Sequence, residues 1–193
     1  MPRMVHRFAA SAIQLAVLSL LLGGCAAGGR VSLNPTVNLA VAPSSLDDQV
    51  AVYIPPLHQK QVHSQLLGSL GNIDVELGPA LIRCARESFQ LFFDQALMLG
   101  PSETSGLPWR VDLRTDRFRI TDNLGADITI WCKVVNSGKI VLEQSFEGRA
   151  EGPAQEYRKI DSAKLVIQKS AEDAFQQAFT SLQKTFREKT AGN

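Results

Sequence analysis

Apolar and polar positions alternate most clearly between Trp109 and Arg149. Trp109, Val111 and Leu113 alternate with Arg110, Asp112 and Arg114, the period of a strand with one buried face. The apolar parity then switches to Phe118 and Ile120, which predicts a β-bulge near Thr115 to Arg117. Leu124, Ala126, Ile128, Ile130, Cys132 and Val134 share the next apolar face, with Asp127, Thr129 and Lys133 opposite. Asn136-Ser137-Gly138 signals a tight hairpin. Its return strand would put Ile140, Leu142 and Phe146 inside and Glu143, Glu147 and Arg149 outside. One dry face and one wet face describe an antiparallel sheet covered on a single side.

Two stretches carry a helical period instead. Leu81, Ala85, Phe89, Phe92, Ala96 and Leu99 recur every three or four residues, with Pro79 at the first helical position and Gly100-Pro101 as the stop. Ile167, Ala171, Phe175, Ala178, Leu182 and Phe186 form a second stripe, with Asp161 or Ser162 as its cap and Lys184, Arg187 and Lys189 complementing its C-terminal dipole. Upstream, Gln49 to Ile54 reads as a strand stopped by Pro55-Pro56, and Ile73 to Leu77 as a short strand. Val31 to Leu33 and Thr36 to Val41 read as extended, and Leu57 to Asn72 as a loop with room for a helical turn. The order is β-α-β-β-β-α. The fold class is α+β, with two amphipathic helices packed on one face of a twisted, mainly antiparallel sheet.

The first residues follow another logic. Arg3, His6 and Arg7 make a positive start, and Phe8 to Leu22 is apolar apart from Ser11, Gln14 and Ser19. That run fits a signal peptide core and is short for a transmembrane helix. Leu22-Gly23-Gly24-Cys25 then resembles the lipobox of bacterial lipoproteins, with cleavage between Gly24 and Cys25 and a lipid on the Cys25 sulfur. The resemblance implies a signal peptide over 1–24, and more than one acyl chain on Cys25 makes membrane attachment effectively permanent. Ala26, in place of an aspartate, points to the periplasmic face of the outer membrane of a Gram-negative cell. Residues 25–48 would be the lipidated cysteine, tether and extended lead-in, and 49–193 a single periplasmic domain. The tether Ala26 to Arg30 spans about 15–18 Å fully extended.

Composition is globular: 45% of the 193 residues are hydrophobic and 20% charged. Loss of the leader removes Arg3 and Arg7, which takes Lys+Arg from 20 to 18 against 19 Asp+Glu, a formal net charge of −1. A near-neutral chain without a basic run lacks the footprint of a nucleic-acid binder. Cys84 and Cys132 both point to the interior. They are either bonded to each other, at about 4 kcal/mol through loop-closure entropy, or two separate buried thiols. His58 and His63 lie in one loop without a third ligand, so no metal is expected. Asp127, Glu143 and Glu147 fall where a solvated face would put them. No phosphate loop, zinc-protease or serine-hydrolase motif occurs, and no enzymatic activity or cofactor is expected.

In pattern, the lipobox, the segment Val31-Ser32-Leu33-Asn34-Pro35-Thr36-Val37, the strand Ile73 to Leu77, the three-strand sheet and the closing Ala/Phe helix together resemble the YajG-type family of outer-membrane lipoproteins. The element order is similar also to the lipopolysaccharide-assembly lipoprotein that plugs an outer-membrane barrel and to small lipoproteins that assist secretion machines. These resemblances imply location and fold more than activity. The favoured function is a non-catalytic binding or scaffold component of an envelope assembly or secretion system, using a sheet edge such as Val37 to Val41 or the loop Pro55 to Gly71. The alternative is a carrier or sensor for an apolar ligand held among Phe89, Phe92, Phe93, Phe175 and Phe179.

Overall fold

The computed structural model describes residues 28–37, 46–100, 103, 106–152 and 160–191. Gly24, Cys25 and most of the Thr36 to Val41 segment lie outside them. The elements are β1 (Gly29–Ser32), β2 (Leu46–Tyr53), α1 (Pro56–Gln59), β3 (Val62–Leu66), β4 (Asn72–Glu76), α2 (Leu77–Phe89), β5 (Phe93–Leu99), β6 (Trp109–Ile120), β7 (Ala126–Asn136), β8 (Lys139–Ala150) and α3 (Ile160–Ala191). They form an α+β fold with two sheets. The larger runs β5-β2-β6-β7-β8 and the smaller β1-β4-β3.

The meander β6-β7-β8 has the expected antiparallel pairing, including the irregularity between Thr115 and Arg117. Ser137 and Gly138 both take positive φ, 48° and 81°, as a two-residue hairpin with the strands' twist requires. The sheet is mixed, however, because β2 pairs in parallel with both β5 and β6. A second register shift, between Val134 and Val135, turns Ile140 outward, and it is 58% exposed rather than inside.

The first long helix is shorter and earlier than its apolar stripe suggests. It starts at Leu77, because the N–H groups of Leu77 and Gly78 both donate to the Gln61 carbonyl at 2.9 and 3.1 Å, which satisfies two of the helix's orphan donors. Pro79 still falls in the first turn, where no N–H is missed. The helix ends at Phe89, and after a turn through Gln90 to Phe92 the chain becomes β5. Phe92, Ala96 and Leu99 therefore do not continue a helical face. Parallel pairing with β2 overrides the local period there.

Leu57 to Asn72 does hold helical turns, α1 and a 3₁₀ turn over Gly68–Leu70, but between them it forms the strand β3 rather than a loop. β1, within the stretch expected to be lead-in, pairs in parallel with β4 and contributes Val31 to the core, followed by buried Leu33.

Helix α3 is 32 residues long, roughly 48 Å. Asp161 and Ser162 lie inside its first turn, which begins at Ile160. It crosses β8 and β7 on the dry face of the large sheet, beside α2. Close approach to β8 is possible because position 148 is glycine: a Cβ there would overlap the carbonyl oxygen of Ala174. Phe89, Phe92, Phe93, Trp109 and Phe186 close the core between the helices and the sheet, with ring centroids 4.9 to 6.5 Å apart. Among the described residues, no helix is long and apolar enough to cross a membrane.

Candidate interaction surface

Both long helices pack on the same face of the large sheet, and no other helix among the described residues covers its opposite face. That outer face is built by strand alternation. β6 supplies Arg110, Asp112 and Arg114, and β7 supplies Asp127, Thr129, Trp131 and Lys133 in register with them. Glu143, Ser145, Glu147 and Arg149 follow from β8. Most charges pair across or along the strands. Arg110 meets Asp112 at 2.8 Å, Arg114 meets Asp116 at 2.6 Å and Lys133 meets Glu143 at 3.2 Å. At such exposure these pairs add little stability, about 0–1 kcal/mol each. Their effect is to hold long side chains in place.

The unusual member is Trp131. It occupies a wet-face position that strand alternation gives to polar residues, and the Arg114 guanidinium stacks on it at 4.0 Å from the ring centroid. Arg110 lies 5.4 Å from the ring of Tyr53 in the same way. Tryptophan, tyrosine and arginine are the residues that dominate protein interfaces, since they offer large contact area with a polar tip. A tryptophan out of step with the apolar parity was the sequence signal for this surface, and the sequence reading passed over it.

At the far end of the same face, Asp127 lies between Arg119, at 2.5 Å, and Arg149, at 3.5 Å. Arg149 also reaches Glu151 at 3.2 Å. Two open polar clefts adjoin this cluster. One of about 680 Å³ runs between the end of β8 and α3, past Glu147, Asp173 and Gln177. The other, of about 390 Å³, follows the Thr121 to Asn123 turn. Of the three carboxylates that stood on the expected wet face, Asp127 and Glu143 are held in ion pairs and Glu147 lines the larger cleft.

Cys84 and Cys132 are both fully buried and both free. Burial pushes each thiol well above its ordinary range, helped by Glu87 beside Cys84 and Asp112 beside Cys132. Thiols held neutral in this way are inert as nucleophiles. His58 and His63 do not converge. His58 Nδ1 lies 3.0 Å from Gln61 Oε1, and His63 Nε2 lies 3.1 Å from Gln65 Oε1. The five phenylalanines considered for an apolar ligand are all buried, and Phe89, Phe92 and Phe93 pack ring against ring with Phe186.

No family model matches the chain, and no curated protein matches it in sequence. Solved structures do. The crystal structure of a Xanthomonas campestris protein of family DUF330 superposes over 84% of this chain and 99% of its own, with a TM-score of 0.55 and 11% identity. The chain resembles a DUF330 protein in fold. At that identity the likeness concerns fold alone. A candidate lipoprotein from Caulobacter crescentus matches 60% of this chain and 84% of its own at 14% identity, but its TM-score of 0.40 carries no argument. None of these findings shows the YajG-type family.

Proposed function

We propose that this protein is a periplasmic lipoprotein, anchored in the outer membrane through Cys25, that acts as a non-catalytic binding or scaffold component of an envelope assembly or secretion system. It engages a protein partner with the outer face of its large sheet. The observation that carries this reading is the Arg114–Trp131 stack on a face that neither helix covers. Two further features support it. β1 begins four residues after Cys25, so the tether can span at most about 14 Å, which keeps the domain beside the membrane. Asp127 and Glu143, in turn, are held in ion pairs on that face.

The test is site-specific photo-crosslinking in intact envelope. A photoreactive residue at Val135 or Ile140, on the outer face, should give one discrete protein adduct. The same residue at Lys184, exposed on α3, should not. Trp131→Ala should abolish the adduct while leaving the protein folded. Equal adducts at all three positions, or none at the sheet face, would contradict the reading.

A further inference from the structure

The strand register places an uncharged, leucine-bearing tip beside the point where the tether enters the fold. β1 and β4 run parallel with Gly29 opposite Ile73, and β4 pairs with β3 so that Ile73 faces Gln65 and Asn72 faces Leu66. The entry end of β1 is therefore the turn end of the β3–β4 hairpin, and Gly29 lies about 10 Å, two strand spacings, from Gln65. Residues 61–73 contain no Asp, Glu, Lys or Arg, in a chain that is 20% charged. Leu66 is 73% exposed at the end of β3, and Leu67 and Leu70 are half-buried at the turn, with Gly68 and Ser69 exposed between them.

The tip is also built to hold its shape. Leu67 N–H donates to Gly71 O at 2.9 Å and Leu70 N–H to Leu67 O at 3.0 Å. Gly68 and Gly71 supply the positive φ values, 51° and 76°, that close the turn. At its base, the Gln65 amide is bonded to β6. Such a wedge presents leucine at little ordering cost.

We propose that the Leu66–Leu70 tip is a lipid-contacting wedge that seats the domain on the leaflet holding Cys25. The inference rests on lipidation of Cys25. A tether of at most about 14 Å keeps Gly29 close to that leaflet, and the strand register places the tip about 10 Å from Gly29. The surface within its reach is the headgroup and acyl boundary, into which an apolar element partitions by area buried. Since the tip carries no formal charge, seating is driven by apolar burial and does not require anionic lipid. The wedge also sets orientation, because β7 runs away from this end and carries the 136–139 hairpin to the far side.

The experiment uses the mature lipoprotein reconstituted into phosphatidylethanolamine/phosphatidylglycerol vesicles. The variants Ser69→Cys and Ser137→Cys each carry an environment-sensitive fluorophore, the buried Cys84 and Cys132 being shielded from the label. The Ser69 probe should shift to the blue and be quenched by nitroxide-bearing lipids, and the Ser137 probe should do neither. Leu66→Glu should remove the quenching at Ser69, and replacing phosphatidylglycerol with phosphatidylcholine should preserve it. A Ser69 probe that stays water-exposed overturns the proposal. So does one shielded from aqueous iodide yet not quenched by nitroxide lipid, since a protein then covers the tip. Vesicle flotation separates the two levels: a protein that floats with an unquenched tip refutes the wedge alone, and one that neither floats nor carries lipid refutes the anchor beneath it.

Discussion

Gln65 makes with one side-chain amide both hydrogen bonds that a neighbouring strand would give Ile120. Its Nε2–H donates to the Ile120 carbonyl at 2.7 Å, and its Oε1 accepts from the Ile120 N–H at 2.9 Å. β6 needs this partner because its pairing with β2 stops at Asp112. The same Oε1 lies 3.1 Å from His63 Nε2, which must then be the protonated ring nitrogen. One residue thus joins the small sheet to the large one. Gln65→Ala leaves two backbone groups of a buried residue without partners, and should cost about 1–3 kcal/mol in urea unfolding. The Ile120 amide should lose most of its protection from hydrogen exchange.

That junction shows where the sequence was legible and where it was not. The meander and α3 could be read because their apolar residues face the core with one clean period. β3 could not. Its inward residues are His63 and Gln65, while Val62 and Leu66 point outward, so the strand inverts the usual signal. β5 was hidden differently: Phe92, Ala96 and Leu99 fit a helical stripe, and only pairing with β2 distinguishes strand from helix. Ile140 was misplaced by a one-residue register shift, which flips every side chain beyond it. The Arg114–Trp131 stack needed both neighbouring strands in register before it could be recognised.

Gly148 is the position where α3 comes nearest to β8. Gly148→Ala would drive a methyl group into the Ala174 carbonyl, backbone against backbone, with no flexible side chain to yield. The expected loss is about 1–3 kcal/mol, read as a lowered melting temperature. Gly106→Ala meets nothing within 4 Å and serves as the tolerant control.

Between the two long helices, Gln183 Nε2 donates to Ser88 Oγ at 3.2 Å, both residues fully buried, and Gln183 Oε1 has no hydrogen-bond partner among the described residues. Ser88→Ala strands the Gln183 amide and should cost about 1–3 kcal/mol. Replacing both groups, in Ser88→Ala/Gln183→Met, should return stability to the wild-type level or above it. A denaturant double-mutant cycle measures the difference.

The two buried thiols make stability depend on alkaline pH. Their folded-state pKa values are raised above the ordinary value of about 9, so the unfolded chain loses these protons first. Stability from keeping them neutral is full below that value and falls as pH rises beyond it, by about 1.4 kcal/mol per pH unit for each thiol. Comparing urea midpoints between pH 8 and 10.5, about the accessible range on either side of thiol ionisation, should show a steeper fall in the wild type than in Cys84→Ala/Cys132→Ala. In the native protein at neutral pH, neither thiol should react with an aromatic disulfide reagent until denaturant is added.

Membrane anchorage underlies both the scaffold reading and the lipid wedge, and mass spectrometry of the N-terminal peptide of the envelope-purified protein tests it most directly. The account predicts a chain that begins at Cys25 and carries diacylglyceryl and acyl groups on that residue. A peptide that retains residues 1–24, or one with an unmodified Cys25 thiol, would contradict it.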